Sequence, residues 1–87
     1  MKTFCNEVLA FLEREYSDRY NFKIEYTNSY DYGPQVELFC KYSSSFMLKV
    51  DASRMNWIYN FYISKQMDEE RNQLRWQKEL IDIIEGS

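Results

Sequence analysis

The chain has 87 residues, enough for one domain spanning residues 1–87, and it buries only about 60–65% of the surface its unfolded form exposes. A pocket deep enough for a large cofactor would therefore compete with the core. Eleven basic and fourteen acidic residues leave a net charge of −3, which argues against a general duplex-DNA binder. Eight Tyr, six Phe and two Trp supply large apolar area per residue, so the chain is expected to fold rather than stay disordered.

The first element reads as a helix from about Thr3 to Arg19. Cys5, Val8, Leu9, Leu12 and Tyr16 recur at the spacing of one helical face, and Thr3 is placed to cap the first turn. The period then changes to two. Phe22, Ile24 and Tyr26 alternate with Lys23, Glu25 and Thr27, the pattern of a strand with one buried face. Asn28 to Pro34 holds the only Pro and one of the two Gly, and reads as a loop. Gln35 to Tyr42 forms a second strand, with Val36, Leu38, Cys40 and Tyr42 on one face. Ser43-Ser44-Ser45 is a turn. Phe46, Leu48 and Val50 share one face of a third strand. Short connections make the three an antiparallel meander.

Ser53 to Ser64 is compatible with both periods. As a strand it lines Trp57, Tyr59, Phe61 and Ile63 on one face. As a helix it carries an Asn56, Asn60, Ser64 polar stripe opposite Met55, Ile58 and Tyr62. The aromatic and β-branched content of Trp57 to Ile63 favours the strand. The last element reads as one helix from about Met67 to Glu85. Leu74, Leu80, Ile81 and Ile84 point inward, Trp76 and Ile83 lie at the edge, and Gly86 is the stop. Its first turns, from Asp68 to Gln73, carry no apolar residue. The expected fold class is α+β: an antiparallel three- or four-stranded sheet between an N-terminal and a C-terminal helix, the helices packed on one face.

The absence of His removes the commonest general base and metal ligand, and two cysteines do not make a zinc site. Two glycines cannot build a phosphate loop. Glu13/Glu15 and Asp68/Glu69/Glu70 are the dense carboxylates, and both groups fall on expected exposed helix, where pKa tuning is weak. Catalysis, a metal and a cofactor are therefore not expected. Cys5 and Cys40 read as buried, reduced thiols of a cytoplasmic protein. No run approaches the length of a membrane span, so no membrane association is expected.

Binding remains, and three surfaces offer it. The loop places Tyr30 and Tyr32 either side of Asp31, and tyrosines on loops are favoured at interfaces. The uncovered sheet face is expected to carry Phe39, Met47, Ile58 and Tyr62 among Glu37, Lys41, Lys49 and Asn60. The start of the last helix presents Asp68, Glu69 and Glu70. In size and composition the chain resembles small phage- or mobile-element inhibitors of CRISPR or restriction systems. That likeness implies a non-enzymatic protein-binding module acting by steric occlusion or by acidic mimicry of nucleic acid. A single-stranded nucleic-acid binder using exposed aromatics with Lys23, Lys41, Lys49 and Arg54 is the alternative. A self-associating homodimer is the third reading. The helix, three-strand, helix order also resembles double-stranded RNA-binding domains. Those carry a basic cluster at the start of the last helix, where this sequence has Asp68-Glu69-Glu70.

Overall fold

The computed structural model describes residues 2–25 and 34–86. The order is α1 (Lys2–Tyr16), β1 (Tyr20–Glu25), β2 (Gln35–Cys40), β3 (Phe46–Val50), α2 (Ala52–Ile63), β4 (Met67–Asp68), β5 (Gln73–Leu74) and α3 (Arg75–Glu85). Strands β1, β2 and β3 form an antiparallel sheet in that order, and β4 with β5 forms a separate two-residue hairpin. The architecture is α+β, as the element pattern predicts.

The sheet's alternation decides where the core sits. Val36, Leu38 and Val50 are fully buried, with Phe22, Ile24 and Leu48 packed at their margin. Phe4, Val8, Phe11, Leu12 and Tyr16 of α1 join Met55 and Ile58 of α2 and Trp76, Leu80 and Ile84 of α3 in the same core. Apolar helical faces thus cover one side of the sheet, while Asn21, Lys23, Met47 and Lys49 stay exposed. The buried face of α1 is turned slightly from the expected one: Phe4 and Phe11 lie inside, and Cys5 and Leu9 are half-buried. The helix begins at Lys2, so Thr3 lies in its first turn and is not its cap.

Two expected elements are also corrected. The Ser53–Ser64 segment is helical, not a fourth strand. Asp51 caps α2: its carboxylate accepts from the Arg54 backbone N–H at 2.8 Å and from the Ser53 hydroxyl at 2.9 Å. At the other end Lys65 adopts a left-handed φ of 56°. Its N–H donates to the Tyr62 carbonyl at 3.3 Å, and the Gln66 N–H to the Phe61 carbonyl at 3.2 Å. Those two bonds are the Schellman closure of a helix. Both ends are specified by local hydrogen bonds, and these outweigh the strand propensity of the interior. Ile58 and Met55 are consequently core residues.

The second correction concerns Met67 to Leu74, which is a hairpin and not the start of the last helix. The Asp68 carboxylate accepts from the Glu70 N–H at 3.1 Å and the Arg71 N–H at 3.4 Å, and Asn72 takes a left-handed φ of 49°. A short acidic side chain bonding its own backbone offers the chain a turn in place of a helix. The Arg75 N–H donates to the Gln66 carbonyl at 2.9 Å and extends the pairing of the hairpin up to the start of α3. Trp76, expected at the helix edge, is buried. Its ring stands edge-on to Phe11 at 5.6 Å, Tyr62 at 5.8 Å and Phe4 at 6.0 Å, so it joins all three helices.

The helical phase of α2 yields an opposed pair of outcomes. Ile58 is 0% exposed and Trp57 is 46% exposed, the reverse of a strand in which the Trp57 face packs inward. Ile58→Ala should lower unfolding free energy by about 2–5 kcal/mol and Trp57→Ala by about 1 kcal/mol or less, read by urea denaturation. The opposite ranking would mean that α2 does not form. Stability should also fall in acid. Hydrogen bonds from the Arg54 backbone and the Ser53 hydroxyl hold the Asp51 carboxyl below its ordinary pKa, and the Lys78 ammonium and then the Arg71 guanidinium do the same for Asp82. A depressed folded pKa contributes stability above the unfolded value of about 3.9, and that contribution is lost as pH falls through the lower folded value. Asp51→Asn should flatten the acid limb of a urea-midpoint-versus-pH curve.

Candidate docking surface

The turn after β2 and the core pairing of β2 with β3 demand different registers. In the turn Cys40 donates to the Ser45 carbonyl at 2.8 Å and accepts from the Ser44 N–H at 2.9 Å, with Ser44 left-handed at φ 59°. This four-residue loop pairs Cys40 with Ser45, and Phe39 then pairs with Phe46. Further along, Leu38 faces Leu48 and Val36 faces Val50. The first register sums to 85 and the second to 86, so one extra residue, Met47, is accommodated in β3 as a bulge between Leu38 and Phe39 on the partner strand.

The bulge decides which side chains face outward. A one-residue slip moves side chains across the sheet. With strict alternation Phe46 shares the core face with Leu48 and Val50, as the sequence pattern predicts. The bulge instead sets it beside Phe39 on the open face, where the two rings meet edge-on at 6.0 Å. Phe46 is 56% exposed and Met47 47% exposed, while Phe39 is half-buried. Tyr42, expected inward, lies in the loop next to them and is 91% exposed. Phe39, Tyr42, Phe46 and Met47 thus gather at one end of the sheet, on and beside an edge strand. Phe39 and Met47 follow from the sequence pattern. Phe46 and Tyr42 escape it, because strand alternation carries no mark of the bulge, although Ser43-Ser44-Ser45 marks the turn that forces it.

The other predicted residues are dispersed. Tyr30, Asp31 and Tyr32 lie outside the described residues. Ile58 is in the core, and Tyr62 packs between α1 and α3, its hydroxyl donating to the Glu7 carboxylate. Neither belongs to the sheet. Asp68, Glu69 and Glu70 sit at the β4–β5 hairpin. Asp68 is committed to its turn, while Glu69 and Glu70 are exposed at the tip. They are far along the chain from the sheet loop, and among the described residues no hydrogen bond or ion pair joins the two places.

Two of the lysines expected on the open face, Lys23 and Lys41, have neighbouring acceptors. The Lys23 ammonium lies 2.9 Å from the Glu25 carboxylate and the Lys41 ammonium donates to the Ser17 carbonyl at 2.6 Å, while Lys49 sits opposite Glu37 in the strand register and forms no ion pair among the described residues. The helix that directly follows the sheet is α2, and its first turn carries Arg54 as its one cation. Cys5 and Cys40 are free and half-buried, less enclosed than the sequence suggests. Burial pushes the Cys5 thiol above its ordinary pKa, which makes it a poor nucleophile at neutral pH. Glu13 and Glu15 are exposed on α1. Among the described residues no helix is long and apolar enough to cross a membrane. No protein-family model, curated protein or solved structure matches this chain.

Proposed function

We propose that the chain is a protein-binding module that acts by docking and not by catalysis, and that its docking surface is the open end of the sheet bearing Phe39, Tyr42, Phe46 and Met47. The observation that carries this reading is the exposure of Phe46, Met47 and Tyr42 together around the β2–β3 loop. Contiguous exposed apolar side chains mark interaction sites, and Tyr, Phe and Met are the types enriched at interface centres. Engagement of Lys23 and Lys41 by neighbouring acceptors, with a net charge of −3, favours a protein over nucleic acid as the partner. The narrower reading is an inhibitor of a host-defence protein, of the phage or mobile-element type. It draws on the short, acidic, Tyr-rich composition and on the exposed Glu69 and Glu70 at the hairpin tip.

The experiment is a pull-down from host lysate with nuclease added, repeated with variants. One protein should be retained by the wild type. Phe46→Lys or Met47→Lys should weaken its capture at least about tenfold while leaving the circular dichroism spectrum unchanged. Nucleic acid recovered without nuclease and released by salt would replace the protein reading with the nucleic-acid one. Sedimentation of the purified chain as a dimer that Phe46→Lys dissociates would make the partner a second copy. The electrostatic version has its own readout. Glu69→Lys with Glu70→Lys, which spares the Asp68 turn, should weaken capture and flatten its salt dependence if acidic mimicry contributes; unchanged affinity leaves occlusion alone.

A further inference from the structure

The outer edge of β3 leaves main-chain bonding capacity unused. In the sheet β3 pairs with β2 alone, and among the described residues no backbone hydrogen bond from Phe46–Val50 runs to its other side. A strand with one neighbour turns alternate N–H and C=O groups outward, a template for one more strand. A groove of ≈ 270 Å³ follows this edge. Leu48 and Lys49 of β3, Arg54 of α2, Asp82 and Ile83 of α3 and Gly86 at its end line it. Adjacent residues of a strand point to opposite faces, so a groove lined by both Leu48 and Lys49 runs around the open edge of β3.

The charges of this groove are unequal. The Asp82 carboxylate already lies 2.7 Å from the Lys78 ammonium and 3.1 Å from the Arg71 guanidinium. Neighbouring Asp51 is committed to capping α2, and Glu37 faces Lys49 across the ladder without pairing to it. Lys49 and Arg54 are both exposed, and neither side chain forms an ion pair among the described residues. Two unpaired cations thus stand beside free strand edge and the aliphatic side chains of Leu48 and Ile83. We propose that an extended acidic segment of the partner protein adds to the sheet along β3. Its main chain pairs with residues 48–50, and two successive carboxylates, one on each of its faces, reach Lys49 and Arg54. In such an addition main-chain bonds supply affinity and side chains of alternating direction supply specificity. This rests on the protein-binding reading above and extends its surface, for Phe46 and Met47 belong to the same strand.

The test is an NMR titration of the isotope-labelled chain with the peptide acetyl-Thr-Val-Glu-Glu-Val-Thr-amide, with the Gln-Gln peptide as the uncharged probe of the same shape. The Glu peptide should shift the amides of residues 48–50, Arg54 and Ile83, and should slow hydrogen exchange at the β3 amides not bonded to β2. The Gln peptide should bind about fivefold more weakly, and Lys49→Gln or Arg54→Gln should each weaken the Glu peptide about threefold, the scale of exposed charge pairs. N-methylation reports on the backbone without altering the protein: of two Glu peptides methylated at alternate residues, one phase should bind and the other fail. Equal binding of the Glu and Gln peptides, equal binding of the two methylated phases, or shifts elsewhere would each overturn the proposal. So would inorganic phosphate or oligothymidylate producing the same shifts at lower concentration, which would make the groove a phosphate site. The same variants run against the captured partner separate the two readings. Capture lost with Phe46→Lys but kept by the Lys49→Gln, Arg54→Gln double variant removes the added strand and leaves the sheet end standing; capture kept with Phe46→Lys and lost with the double variant does the reverse.

Discussion

The packing of Trp76 against Phe4, Phe11 and Tyr62 is the contact on which the rest of this fold depends. A three-stranded sheet with one apolar face must bury that face against another layer, and its cover here comes from three helices that must be held to one another. Trp76 reaches α1 through Phe4 and Phe11 and α2 through Tyr62, at centroid distances of 5.6–6.0 Å and steep interplanar angles. Each such aromatic pair is worth about 0.5–1.5 kcal/mol beyond its buried area, a large share of the stability of a small domain. The hairpin before α3 orients this ring. It ends the chain's excursion at Arg75, whose guanidinium lies 4.7 Å from the Phe61 ring centre and pairs with the nearly buried Glu79 at 2.7 Å.

Two surfaces come from the same core. Covering one face of the sheet leaves the other open, and the register conflict at Met47 then loads one end of that open face with apolar side chains. A strand that merely alternated would have buried Phe46 and presented a mostly polar face. The bulge gives up regular pairing at one position of an edge strand, a place where bulges are common and where a protruding feature is available to a partner. On the opposite side, convergence of α1, α2 and α3 on Trp76 creates an aromatic corner beside Glu7. The surfaces differ in character: the sheet end exposes apolar side chains, and the corner carries one carboxylate, Glu7, and one ammonium, Lys65, over the buried Trp76 ring.

Much of this organisation is legible in the sequence because its signals are local. Helix α1 shows in its three- and four-residue spacing, the three strands in their period of two, and the β2–β3 turn in its serines. The identity of α2 was available in the same way. Asp51 three residues before Arg54, and the Asn56, Asn60, Ser64 stripe, are helix signals that the aromatic content of Trp57 to Ile63 obscures. The Asp68–Asn72 turn is equally local, for an Asp that bonds the N–H groups two and three residues on and an Asn that accepts left-handed backbone are turn residues. Polar composition alone does not separate such a turn from a solvated helical end.

By itself the sequence determined the α+β class, the antiparallel meander, most of the apolar positions that form the core, and the chemistry lacking its usual residues, because these follow from composition and from the short period of side-chain direction along each element. The tertiary structure decided which face of the sheet is open, that Phe46 and Tyr42 join Phe39 and Met47 there, and that Glu7, Tyr62 and Trp76 meet across three helices. Those outcomes depend on register and on contacts between residues as much as 72 positions apart, from Phe4 to Trp76. A bulge arises only when a turn and a core pairing compete, and neither competitor is visible until both are formed.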